Sequence, residues 1–277
     1  MSLYDELIQL QILPNSFAEW ADYRQAITDY LLQHTHKNSS FAIFGAGRCH
    51  DMDLLRMTEH FSSITLIDEN MHAMQDAIHT YGLCSHPDIH LIQSDFTGIT
   101  PDDYRALSDG FTSIYHIGGT SSDIHILAEY VLDKLDWLYL QAISKELDFG
   151  QDSFDYSATF GVHSQINNMA AWLFSVFSAQ LNQSDSSVES RIIDANQILI
   201  PRLNDAILKA TKSIAFFGCE LKNASISGSI QGACQCIDDL RGRGIITEQA
   251  ITYWPFDIKQ NKIYQMLIQQ ADCATLY

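Results

Sequence analysis

Five short apolar runs recur along the chain, and between them lie stretches whose apolar residues return every three or four positions. The runs are Phe41–Phe44, Ile64–Ile67, Ile89–Ile92, a fourth opening at Phe154-Asp155-Tyr156 and a fifth spanning Ser213–Glu220. Runs of four to eight apolar residues bounded by turn formers read as buried strands. Helical spacing predicts helices over residues 4–12 and 16–34, the second carrying Trp20, Tyr23, Ile27, Tyr30 and Leu31 on one stripe. Lys37-Asn-Ser-Ser40 is a polar break before the first strand. Further helices are expected over Asn167–Leu181, over Val188–Ala210 as one or two pieces around Pro201, and over 229–241. Ile251–Asp257 and Ile263–Ile268, joined by Lys259-Gln-Asn-Lys262, read as a closing antiparallel pair. The segment of about 97–152 is longer than the dozen or so residues a strand crossover needs. It holds Pro101–Leu107, a turn at Gly118-Gly119 and a helix capped by Ser122 that runs through Ile126, Tyr130, Leu132, Leu135 and Leu138 to about Leu147. Insertions of this length are usually lids or interfaces.

The end of the first run carries the most information. Phe41-Ala-Ile-Phe-Gly45-Ala46-Gly47-Arg-Cys49-His50-Asp51 passes from strand to glycine turn, and the next apolar run ends in Asp68. Glycine lets a ligand approach the backbone, and an acid about 20 residues on can accept hydrogen bonds from ribose hydroxyls. A dinucleotide fingerprint has its third glycine three residues after the second, and His50 stands there.

The spacing resembles the Gly-x-Gly-x-Gly-x-Asp motif of class I S-adenosylmethionine (SAM)-dependent methyltransferases, with Cys49 at the third glycine and Asp51 at the acid. The resemblance covers roughly residues 38–220 and the final strand pair. It implies a Rossmann-like, doubly wound α/β fold, with a mostly parallel seven-stranded sheet, an N-terminal helical segment and a helical insertion between strands 3 and 4. Residues 1–37 would be an N-terminal cap and 38–277 the SAM-binding domain, with the insertion at about 97–152. Gly45, Ala46 and Gly47 would meet the cofactor, Asp51 the methionine ammonium, Asp68 the ribose, and Asp95 the adenine amino group; Phe96 and Glu69 would flank the adenine. By the same resemblance Tyr23 and Arg24 would reach the methionine carboxylate. Each acid also has a plain reading as a helix cap or turn former.

Methyl transfer is an in-line displacement that needs alignment and a dry site, and a base only where the acceptor is protonated. In the loop Gly161-Val-His163-Ser164-Gln165, His163 is the candidate base and Ser164 and Gln165 are candidate acceptor contacts; all three also read as caps or packing. The loop lacks an Asn/Asp-Pro-Pro-aromatic signature, and the chain carries a net charge of −18, which disfavours a nucleic-acid acceptor. A small-molecule acceptor is therefore expected. An aminoalkyl transferase or a non-catalytic binding protein on the same fold are the alternatives. No apolar stretch reaches membrane-span length, the N-terminus has no basic start or apolar core, and the six cysteines form no compact framework. No membrane contact and a cytoplasmic location are expected. Cys234 and Cys236 point apart on a helix, and no metal site is expected. The insertion offers a face for a homo-oligomer.

Overall fold

A computed structural model describes residues 2–11, 13–117, 123–221 and 231–275. The turn expected at Gly118-Gly119 and the cap expected at Ser122 lie outside the described residues. In chain order the elements are α1 (Leu3–Gln11), α2 (Ser16–Glu19), α3 (Ala21–Gln33), β1 (Ser40–Phe44), α4 (Leu54–Thr58), β2 (Ser63–Asp68), α5 (Met71–Thr80) and β3 (Ile89–Gln93). There follow α6 (Pro101–Ile117), α7 (Asp123–Ser144), β4 (Phe154–Phe160), α8 (Asn168–Leu181), α9 (Ser187–Ala210), β5 (Thr211–Leu221), α10 (Gln231–Arg243), β6 (Ile246–Asp257) and β7 (Lys262–Asp272).

The chain divides into two compact units. The larger comprises Pro14–Phe96, Leu147–Ser164 and Arg202–Tyr277 and holds the whole sheet. Its strands run in the order β3-β2-β1-β4-β5-β7-β6; the pairs from β3 to β5 are parallel, and β7 is antiparallel to both β5 and β6. Phe41–Phe44 of β1 are all buried, because a parallel sheet wound by helices is covered on both faces and its central strands read as unbroken apolar runs. At the β3 edge the burial lapses, and His90, Ile92 and Gln93 are exposed. Leu31, Leu54, Met57, Leu66, Met74 and Phe216 form part of the core. The helix expected over 16–34 is broken at Trp20, which ends α2 and precedes α3.

The smaller unit is helical and is gathered from three stretches, Met1–Leu13, Thr97–Glu146 and Gln165–Pro201. Its core interlocks Leu107, Phe111, Val131, Leu135, Tyr139, Leu173 and Val188. On α7, Ile126, Trp137 and Leu140 stay exposed. α9 is continuous through Pro201, whose ring nitrogen has no proton to donate to the preceding turn, and the two units part at that residue. Among the described residues no helix is long and apolar enough to cross a membrane.

Candidate cofactor site at the carboxyl ends of the strands

Strand order reverses between β1 and β4, since the chain runs from β1 outward to β2 and β3 and then returns to the other side of β1. The crevice outside the carboxyl ends of strands at such a switch point is where open α/β sheets bind ligands. The glycine turn sits there. The N–H groups of Gly45 and Ala46 donate to the Ile67 carbonyl (2.8 and 3.2 Å), and Gly47 N–H donates to Asp68 Oδ2 (2.9 Å). Asp68 Oδ1 accepts from Asn70 N–H (2.8 Å). Asp68 thus braces the turn from the tip of β2, and burial raises its pKa. The sequence motif and the strand-tip acid meet as a single hydrogen-bonded unit.

The two glycines serve different purposes. Gly45 has φ +72°, and a Cβ there would lie 2.1 Å from Val162 Cγ2, so the loop after β4 closes directly over it. Gly47 has φ +49°, and a Cβ there would meet nothing within 4 Å. Gly47 therefore keeps open a space beside the Asp68 carboxylate. Cys49 also has a positive φ of 48°, which explains why the motif favours glycine at this position; its side chain is buried. A left-handed non-glycine residue costs roughly 1–2 kcal/mol.

Asp51 follows in the same loop. Burial pushes its pKa up to about 6, with its own backbone N–H and the Arg24 charge only partly opposing that shift. Arg24 Nη1 donates to the carbonyls of Phe17 (2.8 Å) and His50 (3.0 Å), tying the α2–α3 segment to the loop. Tyr23 is buried and stacked on Trp254 (centroids 5.9 Å apart). Burial lowers the His50 pKa to about 4, so this ring is neutral at pH 7, beside Ser16 Oγ at 2.8 Å. On the other side of β2, Ser94 N–H donates to the Asp68 carbonyl (2.9 Å) and Gln93 Nε2 to the Glu69 carbonyl (2.9 Å). This fixes the β3 tip, with Asp95 and Phe96, next to the β2 tip. Phe96 packs near Phe44 and Phe149, and Glu69 is exposed.

The residues expected to act on the acceptor differ in exposure and partners. His163 is 1% exposed, with Nε2 2.9 Å from Asn204 Oδ1, and its ring lies near Phe217. The contact with Asn204 occupies Nε2 of the residue expected to act as the base. Gln165 is exposed and belongs to the helical unit. Ser164 is buried and donates to Glu220 Oε1 (2.7 Å).

Glu220 and Trp254 had no assigned role in the sequence. The β4–β5 register pairs Phe160 with Gly218, which carries Glu220 past the end of β4. The Glu220 carboxylate and the Trp254 indole both lie over Gly161, 3.5 and 3.6 Å from where its Cβ would be. Trp254 is ringed by Trp20, Phe256 and Tyr264. Glu220 is 3% exposed and burial raises its pKa; its Oε2 and the Trp254 Nε1 are buried without hydrogen-bond partners. The available signals were an acid closing a strand and the aromatic density of Tyr253-Trp254-Pro255-Phe256. Neither is specific without the register.

No family model matches the chain, and no curated protein matches it in sequence. Among solved structures it is similar to the N-methyltransferase NodS from Bradyrhizobium japonicum in complex with S-adenosyl-L-homocysteine, at 10% identity over 98% of each chain and a TM-score of 0.45. It is also similar to a SAM-dependent methyltransferase from Aquifex aeolicus (8% identity, 97% of this chain and 98% of that one, TM-score 0.45). A third likeness is to precorrin-6y C5,15-methyltransferase from Geobacter metallireducens (11% identity, 89% and 87% covered, TM-score 0.40).

Proposed function

We propose that this chain is a SAM-dependent methyltransferase acting on a small molecule. The observation that carries the reading is the β1/β4 switch point, where Gly47 opens on empty space beside the buried Asp68 carboxylate. SAM fits this cradle: a side chain at Gly47 would fill it, and a carboxylate stands where a ribose diol needs an acceptor. Asp68 would take the ribose, Asp51 the methionine ammonium, and Asp95, Phe96 and the Glu69 backbone the adenine, with Gly45 and Ala46 shaping the turn. When bound, SAM supplies a methyl group on a sulfonium leaving group. The protein then has to align the acceptor and exclude water. Ser164, Glu220 and Trp254 are the groups we assign to the acceptor. The unmatched Glu220 Oε2 and Trp254 Nε1 fit a ligand bearing both an N–H or O–H donor and an acceptor. Glu220 can also take a proton from a protonated acceptor, the role first expected of His163.

A net charge of −18 supports a small-molecule acceptor over a nucleic acid. The six free cysteines accord with a reducing, cytoplasmic setting. The exposed Ile126, Trp137 and Leu140 of α7 are the face on which a homo-oligomer would form, to be tested by sedimentation.

One observation favours a second reading. The β4 loop has no acid of its own, but β5 supplies Glu220 to it, and a buried carboxylate beside aromatic rings also suits the amine of an aminoalkyl acceptor. Incubation with SAM and amine, carboxylate and phenol panels, followed by mass analysis of both products, separates the readings. Methyl transfer leaves S-adenosylhomocysteine, and aminoalkyl transfer leaves methylthioadenosine.

A further inference from the structure

The His163 imidazole belongs to a chain of polar contacts that fixes its tautomer. Arg243 grips both oxygens of Asp239, through Nε to Oδ2 (2.9 Å) and Nη2 to Oδ1 (3.2 Å). Asp239 Oδ2 in turn accepts from Asn204 Nδ2 (2.8 Å). That bond orients the Asn204 amide with Oδ1 toward His163, 2.9 Å from Nε2. An amide oxygen only accepts, so Nε2 carries the ring proton. Nδ1 of the neutral ring is therefore a bare lone pair, and it is buried without a hydrogen-bond partner.

Two thiols face it. Cys219 on β5 and Cys236 on α10 are both buried, and the His163 ring nitrogen and the two Sγ atoms all lie within 4.8 Å of one another. Cys236 Sγ also contacts Asn204 Oδ1 at 3.6 Å. The neighbouring Cys236, and then burial, raise the Cys219 pKa, and His163 opposes that shift.

We propose that His163 Nδ1, Cys219 Sγ and Cys236 Sγ form a binding site for one thiophilic cation, Zn2+ or Cu+. Imidazole and thiolate donors are the set that selects these ions. A metal-bound histidine commonly donates its other N–H to an oxygen that holds the ring in place, and Asn204, itself fixed by Asp239, supplies that oxygen. With metal–sulfur distances of about 2.3 Å and metal–nitrogen of about 2.0–2.1 Å, the donors need to close by roughly 1 Å around the ion. Each thiol gives up its proton as its sulfur binds the metal, so loading releases two protons and changes no oxidation state. The site joins the loop after β4, β5 and α10 through residues far apart in sequence. In sequence the near neighbour of Cys236 is Cys234; the fold brings Cys219 beside it instead. This inference is independent of the SAM reading.

The test is metal content of the folded protein, purified anaerobically with reductant and offered Zn2+ or Cu+ in separate arms. We expect one equivalent of one of these ions, reduced to none in Cys219→Ser and in Cys236→Ser. The exposed-cysteine variant Cys84→Ser should retain it. Because core variants can fail to fold, X-ray absorption on the loaded wild type provides a second readout, expected to show two sulfur neighbours and one imidazole. Cobalt substitution should give thiolate-to-metal charge-transfer absorption. A folded wild type that retains neither ion overturns the proposal. So does undiminished binding in both folded serine variants, or a native Cys219–Cys236 disulfide found by mass spectrometry.

Discussion

Asp51→Asn should make the ligand-free protein more stable and the SAM complex weaker. Burial raises the Asp51 pKa from 3.8 to about 6. The folded state then binds the proton more tightly than the unfolded chain does. By linkage, stability is highest below the unfolded value and falls as pH rises through the window between 3.8 and about 6. Two pKa units at about 1.4 kcal/mol each put the cost of the ionised carboxylate near 3 kcal/mol above that window. Asparagine keeps the shape without the charge, so the gain should be about 1–3 kcal/mol at about pH 8 and close to zero at about pH 4. Denaturant midpoints measured across pH for wild type and variant read this difference, and the subtraction removes groups common to both, such as Glu220 and Asp68. The same substitution removes the partner assigned to the methionine ammonium. A hydrogen bond to a charged group contributes about 1.5–3 kcal/mol, so SAM affinity should fall about 10- to 100-fold. Stability gained and affinity lost together mark a group held in place for its ligand. Equal destabilisation of the variant at both ends of the pH range would refute the burial argument. Unchanged SAM affinity would refute the assignment of Asp51.

Other substitutions separate shape from chemistry at the same site. Gly45→Ala should lower stability by at least about 2 kcal/mol, because it combines left-handed strain with a 2.1 Å clash against Val162; a wild-type thermal midpoint would contradict this. Gly47→Ala meets no neighbour, so it should cost only about 1–2 kcal/mol of stability yet block adenosyl ligands, read by calorimetry on the folded variant. Asp68→Ala removes the ribose acceptor and should abolish or strongly weaken SAM binding with far-UV circular dichroism unchanged. Glu220→Gln should leave SAM affinity within about twofold while reducing turnover at least about tenfold with a protonated acceptor; equal turnover would remove Glu220 from the acceptor site.

The frame of the site could be read directly from the sequence because it is local. A short apolar run that ends near glycine or an acid marks the carboxyl end of a parallel strand, and β1, β2, β3 and β5 appear where their runs stand. Gly45, Gly47 and Asp68 lie at the ends of two successive strands, and their meeting needs only the register of β1 on β2. What remained hidden depends on long-range register. His163 in a polar loop looks like a free base until β5 and α10 bring Cys219 and Cys236 against it. Glu220 looks like the end of a strand until the β4–β5 pairing places it on Ser164. The helical unit is assembled from three separated stretches, so no single window of sequence outlines it. Pro201 left one helix or two open in the sequence, and α9 runs through it as one.

The most direct test of the central claim is calorimetric titration of the purified protein with SAM and S-adenosylhomocysteine, with NAD as control. Micromolar binding of both adenosyl ligands, absent for NAD and lost in Asp68→Ala, is the expected result. A folded protein that binds neither adenosyl ligand, or binds NAD equally well, would contradict the account.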